Sequence, residues 1–92
     1  MAIQFEWDKK KAGSNYRKHR VSFEDALTIF ADPLSLTSSD PGHSFGESRY
    51  VTVGREARGR LLVVAHTDRA DKIRLLSARR ATRREIAQYE ET

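Results

Sequence analysis

The chain has 92 residues, 38% of them hydrophobic and 33% charged, with no cysteine and a formal net charge of +4 at pH 7. That length holds one domain with one modest core. The missing cysteines exclude a disulfide framework, a thiol nucleophile and a thiolate metal site. No apolar run approaches a membrane span, and the opening MAIQFEWDKK lacks the apolar core of a signal peptide, so a cytoplasmic protein with no membrane partner is expected. The sequence pI near 9.8 points to a polyanion or an acidic protein as partner. The cations crowd between Arg69 and Arg84, whereas the acids are spread along the chain.

Ile3-Gln4-Phe5-Glu6-Trp7 alternates apolar and polar, which predicts a short first strand with Ile3, Phe5 and Trp7 facing inward. Asp8 is placed to cap a helix running to about Lys18, with Ala12, Tyr16 and His19 spaced to share one face. Its other face carries Lys9, Lys10, Arg17 and Lys18, which reads either as a solvated surface or as a contact for RNA or a partner. Ser22-Phe23-Glu24-Asp25 resembles a capping box, with Asp where Glu is usual, and opens a second helix. Phe23, Ala26, Leu27 and Phe30 follow at helical spacing and are expected in the core. Pro33 ends that helix by disfavouring the α conformation at Asp32.

Leu34, Leu36 and their neighbours predict a short strand, and the segment from Ser38 to Ser44 a loop carrying an exposed His43. From Glu47 to Arg55 strand alternation resumes, with Glu47, Arg49, Val51 and Val53 on one side and Ser48, Tyr50 and Thr52 on the other. Glu56 to Gly59 reads as a turn. Leu61 to Thr67 is nearly continuous Leu and Val, the pattern of a strand covered on both faces. Ala70-Asp71 is a plausible turn, and Ile73 to Ala78 alternates as a further strand. Three strands joined by short turns predict an antiparallel meander. Thr82 with Glu85 forms a capping box for a last helix, from which Ile86 and Tyr89 pack back on the sheet. Arg83 and Arg84 stand in its first turn, against the helix dipole; an anion contact and plain solubility both account for them.

His66, Arg69, Arg74, Arg79 and Arg80 fall at or near the ends of two neighbouring core strands. Their best common explanation is an anion, with a nucleic-acid backbone the leading candidate. His19, His43 and His66 have none of the spacings that gather metal ligands. No phosphate-binding glycine loop, nucleophile elbow or dinucleotide fingerprint occurs either, so neither metal nor cofactor is expected. RNA cleavage without a metal remains open, because RNA carries its own nucleophile: the 2′-hydroxyl attacks the adjacent phosphate, leaving a cyclic phosphate and a free 5′-hydroxyl. The protein must orient the strand, stabilise charge on phosphorus and move two protons. Arginine suits the charge; His66, Glu47 and Tyr89 are candidates for the protons.

Each candidate also has a structural reading. His66 fits a hydrogen-bonded core histidine, Arg69 an ion pair with Asp68, and Arg79 and Arg80 a solubilised strand end. Tyr89 fits a packed ring, and Glu47 and Arg49 a pair on one strand face. The catalytic reading requires Arg69 and Arg79 to converge on one concave patch.

The order F-x-W-D (Phe5 to Asp8), K-H (Lys18-His19), S-F-E-D-A (Ser22 to Ala26), F-A-D-P (Phe30 to Pro33), G-E-x-R (Gly46 to Arg49), H-T-D-R (His66 to Arg69), I-R-L-L-S-A-R (Ile73 to Arg79) and E-x-x-x-Y (Glu85 to Tyr89) is similar to the BrnT family. These are the toxin half of a bacterial type II toxin–antitoxin system, and the resemblance covers essentially the whole chain. It implies an α+β, RelE-like fold filling residues 1–92 as a single domain. Two N-terminal helices and a C-terminal helix would pack on one side of a twisted, mainly antiparallel sheet. It implies a metal-independent endoribonuclease that cuts cellular RNA to arrest growth in the bacterial cytoplasm. The partner would be a BrnA antitoxin that joins a toxin-binding segment to a DNA-binding domain, a heterotetramer on an antitoxin dimer being one arrangement. DNA would be reached only through the antitoxin.

By motif match the resemblance assigns catalysis to Glu47, Arg49, Arg69, Arg79 and Tyr89, with His66 as a further candidate. Lys18, Arg74, Arg80 and Arg83 are expected to hold RNA. Arg20 stands where the family carries glycine, at a place suited to a left-handed helix end. The rival reading is a basic module that holds RNA or an acidic partner and does no chemistry. A transcription regulator is weaker, because the chain has no DNA-reading motif.

Overall fold

The computed structural model describes residues 3–40, 42 and 48–91. Five strands, β1 (Gln4–Glu6), β2 (Leu36–Ser39), β3 (Arg49–Arg55), β4 (Leu61–Arg69) and β5 (Lys72–Arg80), form one sheet in the order β1-β5-β4-β3-β2. The predicted meander is there: β3, β4 and β5 pair antiparallel, and β2 adds antiparallel to β3. β1 instead pairs parallel with β5, Phe5 opposite Ile73. β4 is the central strand, which is why its apolar run is buried on both faces.

Asp8 caps α1 (Lys9–His19), its carboxylate accepting from the Lys10 N–H at 2.7 Å. Arg20 ends α1 in the left-handed conformation, φ 59°, and its N–H donates to the Tyr16 carbonyl at 2.8 Å. The chain therefore accepts a strained non-glycine cap. Ser22 caps α2 (Phe23–Ala26) through the Asp25 N–H at 3.1 Å, and the helix tightens into a 3-10 turn over Leu27–Ala31. Two inward assignments fail. Tyr16 is 49% exposed and Ile3 57%; the buried member of α1 is Asn15.

Val21, Phe23, Ala26 and Ile29 meet Leu62, Val64, Ile73, Leu75 and Ala78 to form the core on one face of the sheet. Gly54 lets the 3-10 turn lie against β3, since a Cβ there would stand 3.0 Å from the Ile29 Cβ. The opposite face of β4 carries Leu61 and Val63, also buried. There α3 (Arg83–Glu90) packs: Arg79, opposite Val63, bonds Glu85, and Leu36 and Val53 border α3 beside Gln88 and Tyr89. The helices thus do not share one side of the sheet, as the resemblance had implied. A central strand that is apolar on both faces needs cover on both.

Candidate nucleic-acid interface

β1 is too short to cover β5 beyond Arg74. Past that point α1 runs beside the strand, and Asn15 stands in for the missing neighbour. Its Oδ1 accepts from the Ala78 N–H at 3.0 Å, and its Nδ2 donates to the carbonyls of Ala78 at 2.9 Å and Val21 at 3.0 Å. Between Ala65 and His66 the β4–β5 register shifts, leaving Leu76 as the extra residue. A cleft of about 450 Å³ opens here between α1 and the face that α3 leaves bare. Lys10, Lys11, Ser14, Asn15, Lys18 and His19 line one wall; Arg49, Leu76 and Ser77 line the other. Among the described residues lining it are four permanent cations and one histidine, and no carboxylate. Charges of one sign gathered on a concave wall focus a field that draws anions.

The same face continues toward the strand ends. Arg49 stands opposite Thr67, Thr67 opposite Arg74, and Arg69 opposite Lys72. Arg74 leans on Glu6 of β1 at 3.4 Å. Thr67 is 2% exposed, and its hydroxyl has no hydrogen-bond partner among the described residues.

His66 is elsewhere. It is 1% exposed, on the face of β4 that meets the 3-10 turn, edge-on to Phe30 at 5.1 Å and stacked on Tyr50 at 5.9 Å. Its Nδ1 bonds the Asp68 carboxylate at 2.7 Å and its Nε2 the Thr52 hydroxyl at 2.7 Å, which in turn meets Thr37 at 2.7 Å. This buried strut ties β4 to β3 and β2. The sheet separates it from the cleft, so the catalytic assignment of His66 gives way to the structural one. Strand alternation carried the signal: His66 falls on the side of Leu62 and Val64, whereas Thr67 and Arg49 fall on the other.

Nor do Arg69 and Arg79 converge. Arg69 pairs with Lys72 and Arg79 with Val63, seven residues apart on β5, or roughly 23 Å at about 3.3 Å per residue. Arg79 is bound to Glu85 by bonds of 2.8 and 2.9 Å, which raise its pKa. Tyr89 is 7% exposed, and its hydroxyl donates to Asp32 at 2.6 Å; that bond raises the phenol's pKa. Burial pushes the Asp32 carboxyl up, but the Tyr89 hydroxyl and the N–H groups of Arg55 and Leu34 hold it below its ordinary value. Arg80 and Arg83 are exposed at the α3 end of the sheet. Glu47 and His43 lie outside the described residues.

The structure therefore brings Lys18 and Arg49 together in the cleft and places Arg74 and Arg69 along the same face. It adds Lys10, Lys11, His19 and Ser77. The sequence held the signal for the helical wall: Lys10, Ser14 and Lys18, with Lys11, Asn15 and His19, recur at steps of four along α1.

Among the described residues, three helices on a five-stranded sheet with a cation-lined cleft define a small α+β domain. The model of the family described as the ribonuclease toxin, BrnT, of type II toxin–antitoxin systems matches residues 7–85, and this chain belongs to that family. It is thus a ribonuclease toxin, with RNA as substrate and an antitoxin as partner. The fold is similar to the crystal structure of the Brucella abortus ribonuclease toxin BrnT, with a TM-score of 0.65 and 18% identity over 89% of this chain and 100% of that one. No curated protein gives a significant sequence match. Among the described residues no helix is long and apolar enough to cross a membrane.

Proposed function

We propose that this toxin is a metal-independent endoribonuclease with a RelE-like fold filling residues 1–92, and that it binds RNA in the cleft between α1 and the open face of β3–β5. It arrests growth by cutting cellular RNA and is neutralised by a BrnA-type antitoxin. The observation that carries this reading is the cleft lining, in which Lys10, Lys11, Lys18 and Arg49 face one space without a carboxylate among the described residues. Ammonium and guanidinium groups match phosphate oxygens. Hard divalent cations need oxygen ligands, and these side chains supply few.

In the proposed reaction the RNA backbone lies along the cleft and passes toward Arg74 and Arg69. The lysines hold flanking phosphates. Arg49 meets the charge that grows on the non-bridging oxygens as the 2′-hydroxyl attacks, an interaction stronger in the transition state than before it. Glu47, two residues before Arg49, remains a candidate member of this site. Arg79 and Tyr89 act at a distance, fixing α3.

The test is RNA integrity in a bacterial host, mapped by primer extension after inducing the toxin alone, beside a folded Lys18→Ala/Arg49→Ala variant. Discrete cuts and growth arrest with the wild type, lost in the variant, support the reading. Intact RNA held in a tight, salt-sensitive complex would replace it with the non-catalytic module.

A further inference from the structure

We infer that His19 is the general base that removes the 2′-hydroxyl proton in RNA cleavage, an assignment that rests on the cleft being the RNA site. In their charged forms the lysines and Arg49 are donors only. The Asn15 amide is occupied, its oxygen by the Ala78 N–H and its nitrogen by the carbonyls of Ala78 and Val21. The Ser14 hydroxyl accepts from Arg17 at 3.3 Å, and the other lining hydroxyl, on Ser77, is a very weak base. A neutral imidazole keeps one ring nitrogen as an acceptor, which makes His19 the residue type on the described walls suited to general-base work.

Position supports chemistry. His19 is the last residue of α1, half-buried and adjacent to Lys18. The left-handed turn at Arg20 leads straight into Val21, which is 0% exposed, so the helix end that carries the imidazole is anchored in the core. Among the described residues, the charged groups that share the cleft with it are the lysines of α1 and Arg49 of β3, and β5 contributes Leu76 and Ser77. The two side chains that the sequence offered for this task and the structure describes are engaged elsewhere, His66 in its strut and Tyr89 with Asp32.

O2′ attacks phosphorus, and its proton passes to a ring nitrogen of His19 as the O2′–P bond forms. The P–O5′ bond breaks, and O5′ leaves with a proton from a lysine ammonium of the cleft. Solvent then takes the proton from His19 and returns one to the lysine, leaving a 2′,3′-cyclic phosphate and a 5′-hydroxyl.

The experiment uses the full chain and a short fluorescent RNA. Single-turnover cleavage is followed from acid to alkaline pH for the wild type and for His19→Gln, Glu47→Gln and Arg49→Ala, with binding to the 2′-O-methyl form of the same RNA. His19→Gln should lower the rate by about 10²- to 10⁴-fold and remove the rise of rate from the acid side. It should leave binding within about threefold and folding intact. A wild-type rate or an unchanged acid limb in His19→Gln overturns the assignment, as does a rate loss matched by an equal loss of binding. Loss of the acid limb in Glu47→Gln alone would give the role to that carboxylate. If wild type cleaves and Arg49→Ala changes neither binding nor rate, the cleft itself is wrong; if wild type does not cleave, both readings fall.

Discussion

Arg79 and Glu85 meet in two parallel hydrogen bonds, Nη1 to Oε1 at 2.8 Å and Nη2 to Oε2 at 2.9 Å, joining β5 to the first turn of α3. Glu85 also closes its capping box on the Thr82 N–H at 2.8 Å. The Arg79 bonds first, then Thr82, bring the Glu85 pKa from 4.5 down to about 2 against the effect of burial. A depressed carboxylate contributes stability above its unfolded pKa, and that contribution is lost as the pH falls through the folded one. Urea midpoints should therefore drop between about pH 4.5 and pH 2. Glu85→Gln should cost on the order of 2 kcal/mol at neutral pH, allowing for solvent at Arg79, and flatten that acid slope. An unchanged slope in the variant would refute the account.

The backbone of Arg20 is held at φ 59°, ψ 32°. Its guanidinium sits 5.8 Å from the centre of the Tyr16 ring, a weak compensation at an exposed site. Arg20→Gly should raise stability by about 0.5–1 kcal/mol, because glycine enters this conformation without a Cβ penalty. A thermal midpoint at or below that of the wild type would contradict the strain argument.

Asn15→Ala removes three hydrogen bonds and leaves the buried edge of Ala78 unsatisfied. The expected loss is about 3 kcal/mol, read by denaturant unfolding. Tyr16→Ala, one residue on and 49% exposed, should change stability by no more than about 0.5 kcal/mol. Equal effects would mean that Asn15 is not the tie.

How far the sequence told this in advance depends on the kind of signal. The strands β3 to β5, the caps at Asp8, Ser22 and Thr82, and the stop at Asp32-Pro33 are local features, and local propensity agrees with the fold at each. The parallel pairing of β1, the placement of α3 on the second face and the edge role of Asn15 are long-range. A residue pattern states that a face is apolar and not what will cover it. The same limit governs the site: Lys18 and Arg49 were legible as cations, but their meeting depends on α1 lying beside β5. Reading Arg69 with Arg79 mistook proximity in composition for proximity in space. His66 was decided by face, and strict alternation along β4 would have settled it.

RNA binding should weaken steeply with salt if the cleft lysines neutralise phosphates. For single strands each contact contributes about 0.7 to the slope of log affinity against log salt. Lys10→Ala/Lys11→Ala/Lys18→Ala should therefore reduce the slope by about 2, measured by titration of the 2′-O-methyl RNA. An unchanged slope would move the RNA off this wall.

The tie between Asn15 and Ala78 spans 63 positions of the chain. α1 precedes β5 in synthesis, so the helix finds its strand only after Ala78 has been made. A polypeptide stalled before Leu76 carries the lysines and Arg49 but lacks the strand edge that ties α1 beside them. The topology thus makes the cleft a property of the assembled sheet and not of α1 alone.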